Sequence, residues 1–345
     1  MLKNQHIIVF RLSAMGDVAM TVPVLRAFTL QYPEVKITVV SKGFLRPIFE
    51  GIKNVTFYEA AVKEKHKGLL GLRKLYKELK ALQPTHIADL HNVTRSIIVR
   101  NFFKIDGFPV AYIDKGRAEK KALTRINNKV FKQLKTTHQR YVEVFEKLGF
   151  LVDITNAEPI QVPKLTPEVI QVTGNKTQPW IGIAPFAAFA SKEYPIDLLE
   201  KVILQLVEKK YLIFLFGGKS DANTLESIEK KYNQVISTAN KLGGLTNELN
   251  LIGNLSLMLS MDSGNAHLAA MQGIKTVTLW GSTHPFAGFA PYNQPIDYCL
   301  LPDLKQYPNL PCSIYGNKTC QGYEDVMRTI NPNTVVDKIN EILKQ

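Results

Sequence analysis

Along the first half of the chain, short apolar runs alternate with stretches of helical spacing. Residues 7–10 read as a strand, 11–17 as a loop, and 18–30 as a helix with Pro23 in its second turn. Strands are predicted at 36–40 and 55–58. Over 69–82 the spacing predicts an amphipathic helix with Leu69, Leu72, Leu75, Tyr76, Leu79 and Leu82 on one side, ended by Pro84. A strand at 86–90, a turn at His91-Asn92, a helix at 95–103, a strand at 110–113 and a helix at 141–150 ending at Gly149 follow. Strand and helix in alternation predict a parallel sheet covered on both faces.

Between 151 and 179 the periodicity fades and Pro159, Pro163, Pro167 and Pro179 are spaced along the chain, the pattern of a linker. A second alternating series then begins. Strands are predicted at 180–184, 212–216, 235–237, 255–261 and 276–280, and helices at 198–207, 222–230, 245–252 and 264–271. The halves are alike in kind, each an open α/β sheet. Ligands of such sheets bind beyond the carboxyl ends of the strands, which predicts a site in a cleft between two facing sheets.

The stretch Met261-Asp262-Ser263-Gly264-Asn265-Ala266-His267 runs from a strand into a short helix stopped by Gly273. Unpaired amides and the positive end of the helix dipole would suit a phosphate there. Ser263 adds a hydroxyl, Gly264 admits a ligand to the backbone, and His267 can donate from the first turn. A plain capped core helix with a packed His267 fits the same residues. In the first half, Asp17 opens a helix, either as its cap or as a carboxylate aimed at the cleft as a general base. Lys192 closes the loop 184–192, where its ammonium either balances phosphate charge or is solvated. Gly217-Gly218 and Gly281-Ser282-Thr283-His284-Pro285 end two further strands.

A chain of 345 residues suits two domains of ordinary size, and 45% apolar residues suit a folded protein. No apolar run approaches the roughly 18 residues of a membrane span. The first ten residues read as a strand rather than a signal peptide. Cys299, Cys312 and Cys320 are too few and too uneven for a disulfide framework and form no CxxC, which points to a reducing cytoplasm and away from zinc. The net charge of +13 predicts an anionic partner: nucleic acid, a membrane face or a phosphorylated substrate. Residues 115–135 hold eight basic residues and one acid, either a solvated face or a positive lip that receives a phosphorylated or carboxylated acceptor. No aromatic and basic interleaving of the single-strand binders is present, so no nucleic-acid partner is expected. GxGxxG, GxxxxGK[ST] and HExxH are absent, and no two aspartates stand two apart, so no metal-holding DxD exists.

Arg11-Leu12-Ser13-Ala14-Met15-Gly16-Asp17-Val18, with Thr21-Val22-Pro23-Val24-Leu25-Arg26-Ala27 behind it, resembles the opening signature of glycosyltransferase family 9, the lipopolysaccharide heptosyltransferases. Asp262 to Ala270 resembles the second signature, and Trp280 to Pro285 the loop after it. Weaker likenesses lie at Lys192-Glu193-Tyr194-Pro195, Gly217-Gly218, His138-Gln139-Arg140-Tyr141 and the tail from Cys320. The resemblance implies a GT-B architecture of two Rossmann-like domains facing across a cleft that closes on its substrates. The expected bounds are 1–165 for acceptor binding, 166–330 for the nucleotide sugar, and a terminal helix at 331–345 that packs back on the first domain. It implies inverting, metal-independent transfer with no cofactor, usually from ADP-L-glycero-D-manno-heptose to a lipid A-linked core acceptor. That acceptor is phosphorylated or acidic, and the enzyme would sit on the anionic inner face of the cytoplasmic membrane.

By position, Asp17 would be the base and Lys192 would neutralise the departing charge. Ser263, Gly264 and His267 would hold the diphosphate, with Asp262, Gly217, Gly281 and Thr283 around the sugar donor. Arg11, Ser13, Arg117, Lys120, Arg125, His138 and Arg140 would meet the acceptor. Phe186 stands where the family often has glycine, Ser282 where it often has proline, and Met261 where it often has asparagine, so the donor pocket is reshaped. A transferase of another nucleotide sugar, for capsule or O-antigen, and a non-catalytic nucleotide-binding protein are the alternatives.

Overall fold

The computed structural model describes residues 5–155, 161–318 and 320–344. The chain divides into two compact units, Met1–Lys115 with Thr137–Pro159, and Gly116–Thr136 with Ile160–Gln345.

The first unit is built on β1 (His6–Phe10), β2 (Lys36–Ser41), β3 (Val55–Glu59), β4 (His86–Asp89) and β5 (Val110–Tyr112). They form one parallel sheet in the order β3-β2-β1-β4-β5. Ile7, Ile8, Val9 and Phe10 are all buried, because a central parallel strand is covered on both faces. The helix expected over 18–30 is two helices, α1 (Met15–Ala19) and α2 (Thr21–Gln31). Pro23 falls in the first turn of α2, where its missing N–H forfeits no intrahelical bond. α3 (Gly68–Lys80) and α4 (Thr94–Ile105) pack together on one face of the sheet. α3 buries Leu72, Leu75 and Leu79, but Leu69 is 63% exposed and Leu82 39%, against the expectation for that apolar side.

The basic run belongs elsewhere than expected. α5 (Arg117–Thr124) and the chain to Thr136 cluster with the second unit, although their number places them inside the expected first domain. The reason is a satellite core: Leu123 and Leu134 bury against Ala287, with Phe286, Phe289 and Ile314 around them. Lys129 Nζ donates to the carbonyls of Asn309, Leu310 and Pro311 at 2.8, 3.0 and 2.9 Å. α6 (Thr137–Glu146) then returns to the first unit.

The second unit carries β6 (Trp180–Ala184), β7 (Leu212–Leu215), β8 (Val235–Ser237), β9 (Leu257–Met261), β10 (Thr276–Leu279) and β11 (Cys299–Leu300). They form a parallel sheet in the order β11-β10-β9-β6-β7-β8, the doubly wound Rossmann order. Its helices are α7 (Pro167–Thr173), α8 (Ile196–Glu208), α9 (Ala222–Glu229), α10 (Leu245–Ile252), α11 (Gly264–Ala270) and α12 (Pro332–Lys344).

The linker and the cysteines differ from expectation. The linker over 151–179 contains α7, capped by Thr166 and packed on α10; residues 156–160 of it lie outside the described chain. Within the second unit the terminal helix packs on α8: Val335, Val336, Ile339 and Ile342 join Leu199, Val202, Ile203 and Leu206 in the second core. Cys312 and Cys320 form a disulfide, Cα to Cα 5.9 Å, and Cys299 is free and buried. Spacing alone concealed the pair, since an uneven cysteine count says nothing of which loops meet in space.

Candidate functional site

Each sheet reverses its strand order once, between β1 and β4 in the first unit and between β6 and β9 in the second. Loops diverge beyond the carboxyl ends at such a switch point and leave a crevice for a ligand. The predicted acid follows β1, and the predicted phosphate loop follows β9.

Asp17 is the third residue of α1, so it reaches back rather than capping directly. Its Oδ2 accepts the Ala14 N–H at 3.3 Å and pairs with Arg11 Nη2 at 2.6 Å. Oδ1 takes no hydrogen bond among the described residues, and the carboxylate is 30% exposed. Arg11 is buried, and its Nη1 donates to Leu90 O at 2.9 Å. The Tyr141 hydroxyl, its pKa raised by burial, donates to Asp17 O at 3.2 Å.

The turn after β4, expected at His91-Asn92, supports this corner through Asp89, which was not among the expected site residues. Asp89 is fully buried; its Oδ1 accepts the amides of His91 and Asn92 at 3.0 and 2.8 Å, and its Oδ2 pairs with Arg100 Nη1 at 2.9 Å. Arg100 lies 3.9 Å over the Tyr112 ring. His91 Nδ1 accepts the Leu12 N–H at 3.3 Å, so a proton on that ring belongs on Nε2. Burial, then the cations Arg11, Lys115 and Lys42, push the His91 pKa down to about 3 against the opposing pull of Asp17. An aspartate ending an apolar strand before an Asx-type turn was the available signal.

In the second unit, Lys192, Asp262 and Thr283 meet. Lys192 is buried; its Nζ donates to Asp262 O and stands 3.2 Å from Asp262 Oδ2, which also accepts the Thr283 hydroxyl at 2.9 Å. The lysine is therefore neither solvated nor unengaged, and Asp262 ties the β6, β9 and β10 loops together. Ser191 Oγ bonds Ser282 Oγ at 2.8 Å and donates to Gly316 O at 2.6 Å. A Cβ at Gly316 would stand 2.6 Å from Lys192 Cγ at φ +84°, and one at Gly281 would stand 2.4 Å from Ser191 O. Glycine is required at both for the loops to close on the lysine.

Ser263 precedes α11 in extended conformation without capping it; its Oγ lies 3.0 Å from Ser260 Oγ. The first-turn amides of α11 thus take no side-chain cap, and Ser263, Gly264 and Asn265 are half-buried. His267 is buried one turn further on. Gly217 lies in the loop after β7, where its neighbour's amide, Gly218 N–H, is held by Asp221 Oδ2 at 2.8 Å.

The expected acceptor residues fall in both units. Arg11 and half-buried Ser13 flank Asp17, while His138 and Arg140 are buried on α6, with Arg140 Nη1 donating to Asp114 O at 3.2 Å. Arg117, Lys120 and Arg125 stand in the second unit. Of these, Lys120 is buried 4.2 Å over the Phe289 ring, and Arg125 Nε donates to Asn128 O at 2.6 Å. Among the described residues no group of three or more His, Cys, Asp or Glu side chains could hold a metal, and no helix is long and apolar enough to cross a membrane.

Comparison with known proteins gives a consistent family. The model described as glycosyltransferase family 9 (heptosyltransferase) matches residues 72–315. Lipooligosaccharide heptosyltransferase 2 of Haemophilus ducreyi is 25% identical over 356 residues, covering 96% of this chain and 97% of that one. A glycosyl transferase family 9 structure from Veillonella parvula superimposes with a TM-score of 0.77 at 20% identity, covering 100% of this chain and 98% of that one. The Escherichia coli ADP-heptose lps heptosyltransferase II gives 0.71 at 20% identity over 99% of both chains.

Proposed function

The chain belongs to glycosyltransferase family 9, the heptosyltransferases, and from that membership we propose that it transfers heptose from ADP-L-glycero-D-manno-heptose to a lipid A-linked core saccharide. Asp17 is the general base. Its Oδ1 takes the proton of the acceptor hydroxyl, whose oxygen bonds to the anomeric carbon as the bond to the diphosphate oxygen breaks; the electron pair leaves with ADP and the anomeric configuration inverts. The observation that carries this reading is the asymmetry of Asp17, with Oδ2 anchored twice and Oδ1 open at a switch point.

The uncapped amides of α11, with Ser263, Gly264 and His267, hold the diphosphate, and Lys192 meets its charge without a metal. Gly217, Gly281, Thr283 and Asp262 shape the donor pocket. The E. coli relative named for ADP-heptose supports the choice of sugar donor. Half-buried Phe186, in place of a frequent glycine, favours a second reading in which the same chemistry serves another nucleotide sugar. The charge of +13 and a lipid-linked acceptor would suit work on an anionic membrane surface at its cytoplasmic face.

Thermal stabilisation by ADP, UDP and GDP compounds tests the donor site. A shift selective for ADP compounds, lost in Ser263→Ala/His267→Ala, is expected. A shift confined to UDP or GDP compounds moves the function to the second reading, and an ADP shift that survives in the double variant removes the diphosphate assignment.

A further inference from the structure

The two leucines that open α3 lie in water although the helix has an apolar side to bury them. Leu69 is 63% and Leu70 81% exposed, while Leu72, Leu75 and Leu79 fill the core. One turn on, at i+4, stand Arg73 and Lys74, both exposed; Lys63, Lys65 and Lys67 are exposed on the approach, with Glu64 the acid among them.

The loop leading to this surface is anchored through His66. Fully buried His66 accepts the Ala61 N–H on Nδ1 at 3.0 Å and reaches Glu78 Oε2 through Nε2 at 2.8 Å. Gly71 seats the first turn of α3 directly on this loop: a Cβ there would stand 2.4 Å from the His66 carbonyl carbon. Lys65 and Lys67, on either side of His66, are exposed, and Lys65 Nζ stands 3.6 Å from Glu78 Oε2.

Its place in the fold matters too. The loop follows β3, the outer strand of the first sheet, and β3 runs parallel to β1. The start of α3 therefore shares the carboxyl edge of the sheet with Asp17 and His91.

We infer that Leu69 and Leu70, flanked along the chain by these exposed basic residues, are a docking surface for an anionic lipid bilayer. Paired apolar side chains suit the acyl boundary, and the surrounding cations suit phosphate headgroups. Docking by this edge presents the Asp17 corner to a substrate carried in the membrane. The inference deepens the proposed membrane association and rests on it; vesicle binding is read without sugar donor or acceptor, so its outcome is separate from that of the transferase reading.

The test is co-sedimentation with vesicles of phosphatidylcholine alone and of phosphatidylcholine with about 30% phosphatidylglycerol. The wild-type chain is expected to bind the anionic vesicles at least ~10-fold more tightly than the neutral ones. Leu69→Gln/Leu70→Gln and Lys67→Gln/Arg73→Gln/Lys74→Gln each lose about tenfold, with melting temperature and ADP-induced stabilisation unchanged. A polarity-sensitive dye on Leu70→Cys shifts to the blue on anionic vesicles. Wild-type protein that ignores anionic vesicles, or a leucine variant that binds them as wild type does, overturns the inference. So does a dye that stays in water, which would leave the patch to a soluble acidic partner.

Discussion

Arg11 and the Ala14 amide hold one and the same oxygen of Asp17, at 2.6 and 3.3 Å, and Arg11 is itself tied to Leu90 O at 2.9 Å. The carboxylate is thus oriented from two sides. Arg11→Met removes one of them and leaves the side chain to rotate. Misplacing a reacting group by an ångström can cost about 100-fold in rate, and a kcat loss of that order is expected with the KM for the sugar donor little changed. Steady-state kinetics on the purified variant decides it; an unaltered kcat would show that Arg11 does not position the base.

Lys192 and Asp262 are both buried and paired. Lys192→Met leaves the Asp262 charge uncompensated, which costs about 3–5 kcal/mol. Lys192→Met/Asp262→Asn removes that charge and recovers much of the stability while transfer stays lost. Urea unfolding of the single and double variants measures the recovery; equal midpoints for the two would mean the pair is not coupled.

Much of this was legible in the residues. The apolar runs at 7–10 and 255–261 read as strands, and β1 and β9 lie there; Asp-Ser-Gly after the latter read as a turn into a helix, and α11 follows. What was not legible depends on partners distant in sequence. The basic run looked like one surface feature, yet Lys120 lies on Phe289 and Lys129 is captured by carbonyls some 180 residues away. Nothing local to Arg11 says that its guanidinium is buried and tied to Leu90 O. The α8 partner of α12 was not legible for the same reason: an apolar stripe says that a helix packs, and not on what.

His91 gives the fold a pH signature. Its pKa of about 3 lies below the ordinary 6.5, so between these values the unfolded chain binds the proton and the folded chain does not. Stability contributed by the neutral ring is present above pH 6.5 and is lost as pH falls toward 3. Melting temperatures recorded from about pH 4.5 to 7 should fall more steeply on the acid side for the wild-type chain than for His91→Gln. Parallel curves would contradict the assignment.

Lys129 fastens the satellite core to three carbonyls. Lys129→Met leaves those acceptors without their donor and should cost about 2 kcal/mol. Limited proteolysis within 125–132 is expected to accelerate while the remainder of the second unit stays resistant. Cleavage at the wild-type rate would mean that Leu123 and Leu134 suffice.

The central claim is that Asp17 takes the acceptor proton in a transfer from a nucleotide sugar. It is tested most directly by acceptor-dependent ADP release from ADP-heptose, measured on wild-type protein and on Asp17→Asn. The account predicts release with the wild-type chain, a loss of about 10²–10⁴-fold in Asp17→Asn, and ADP binding retained in the variant. Release at the wild-type rate from Asp17→Asn would contradict it.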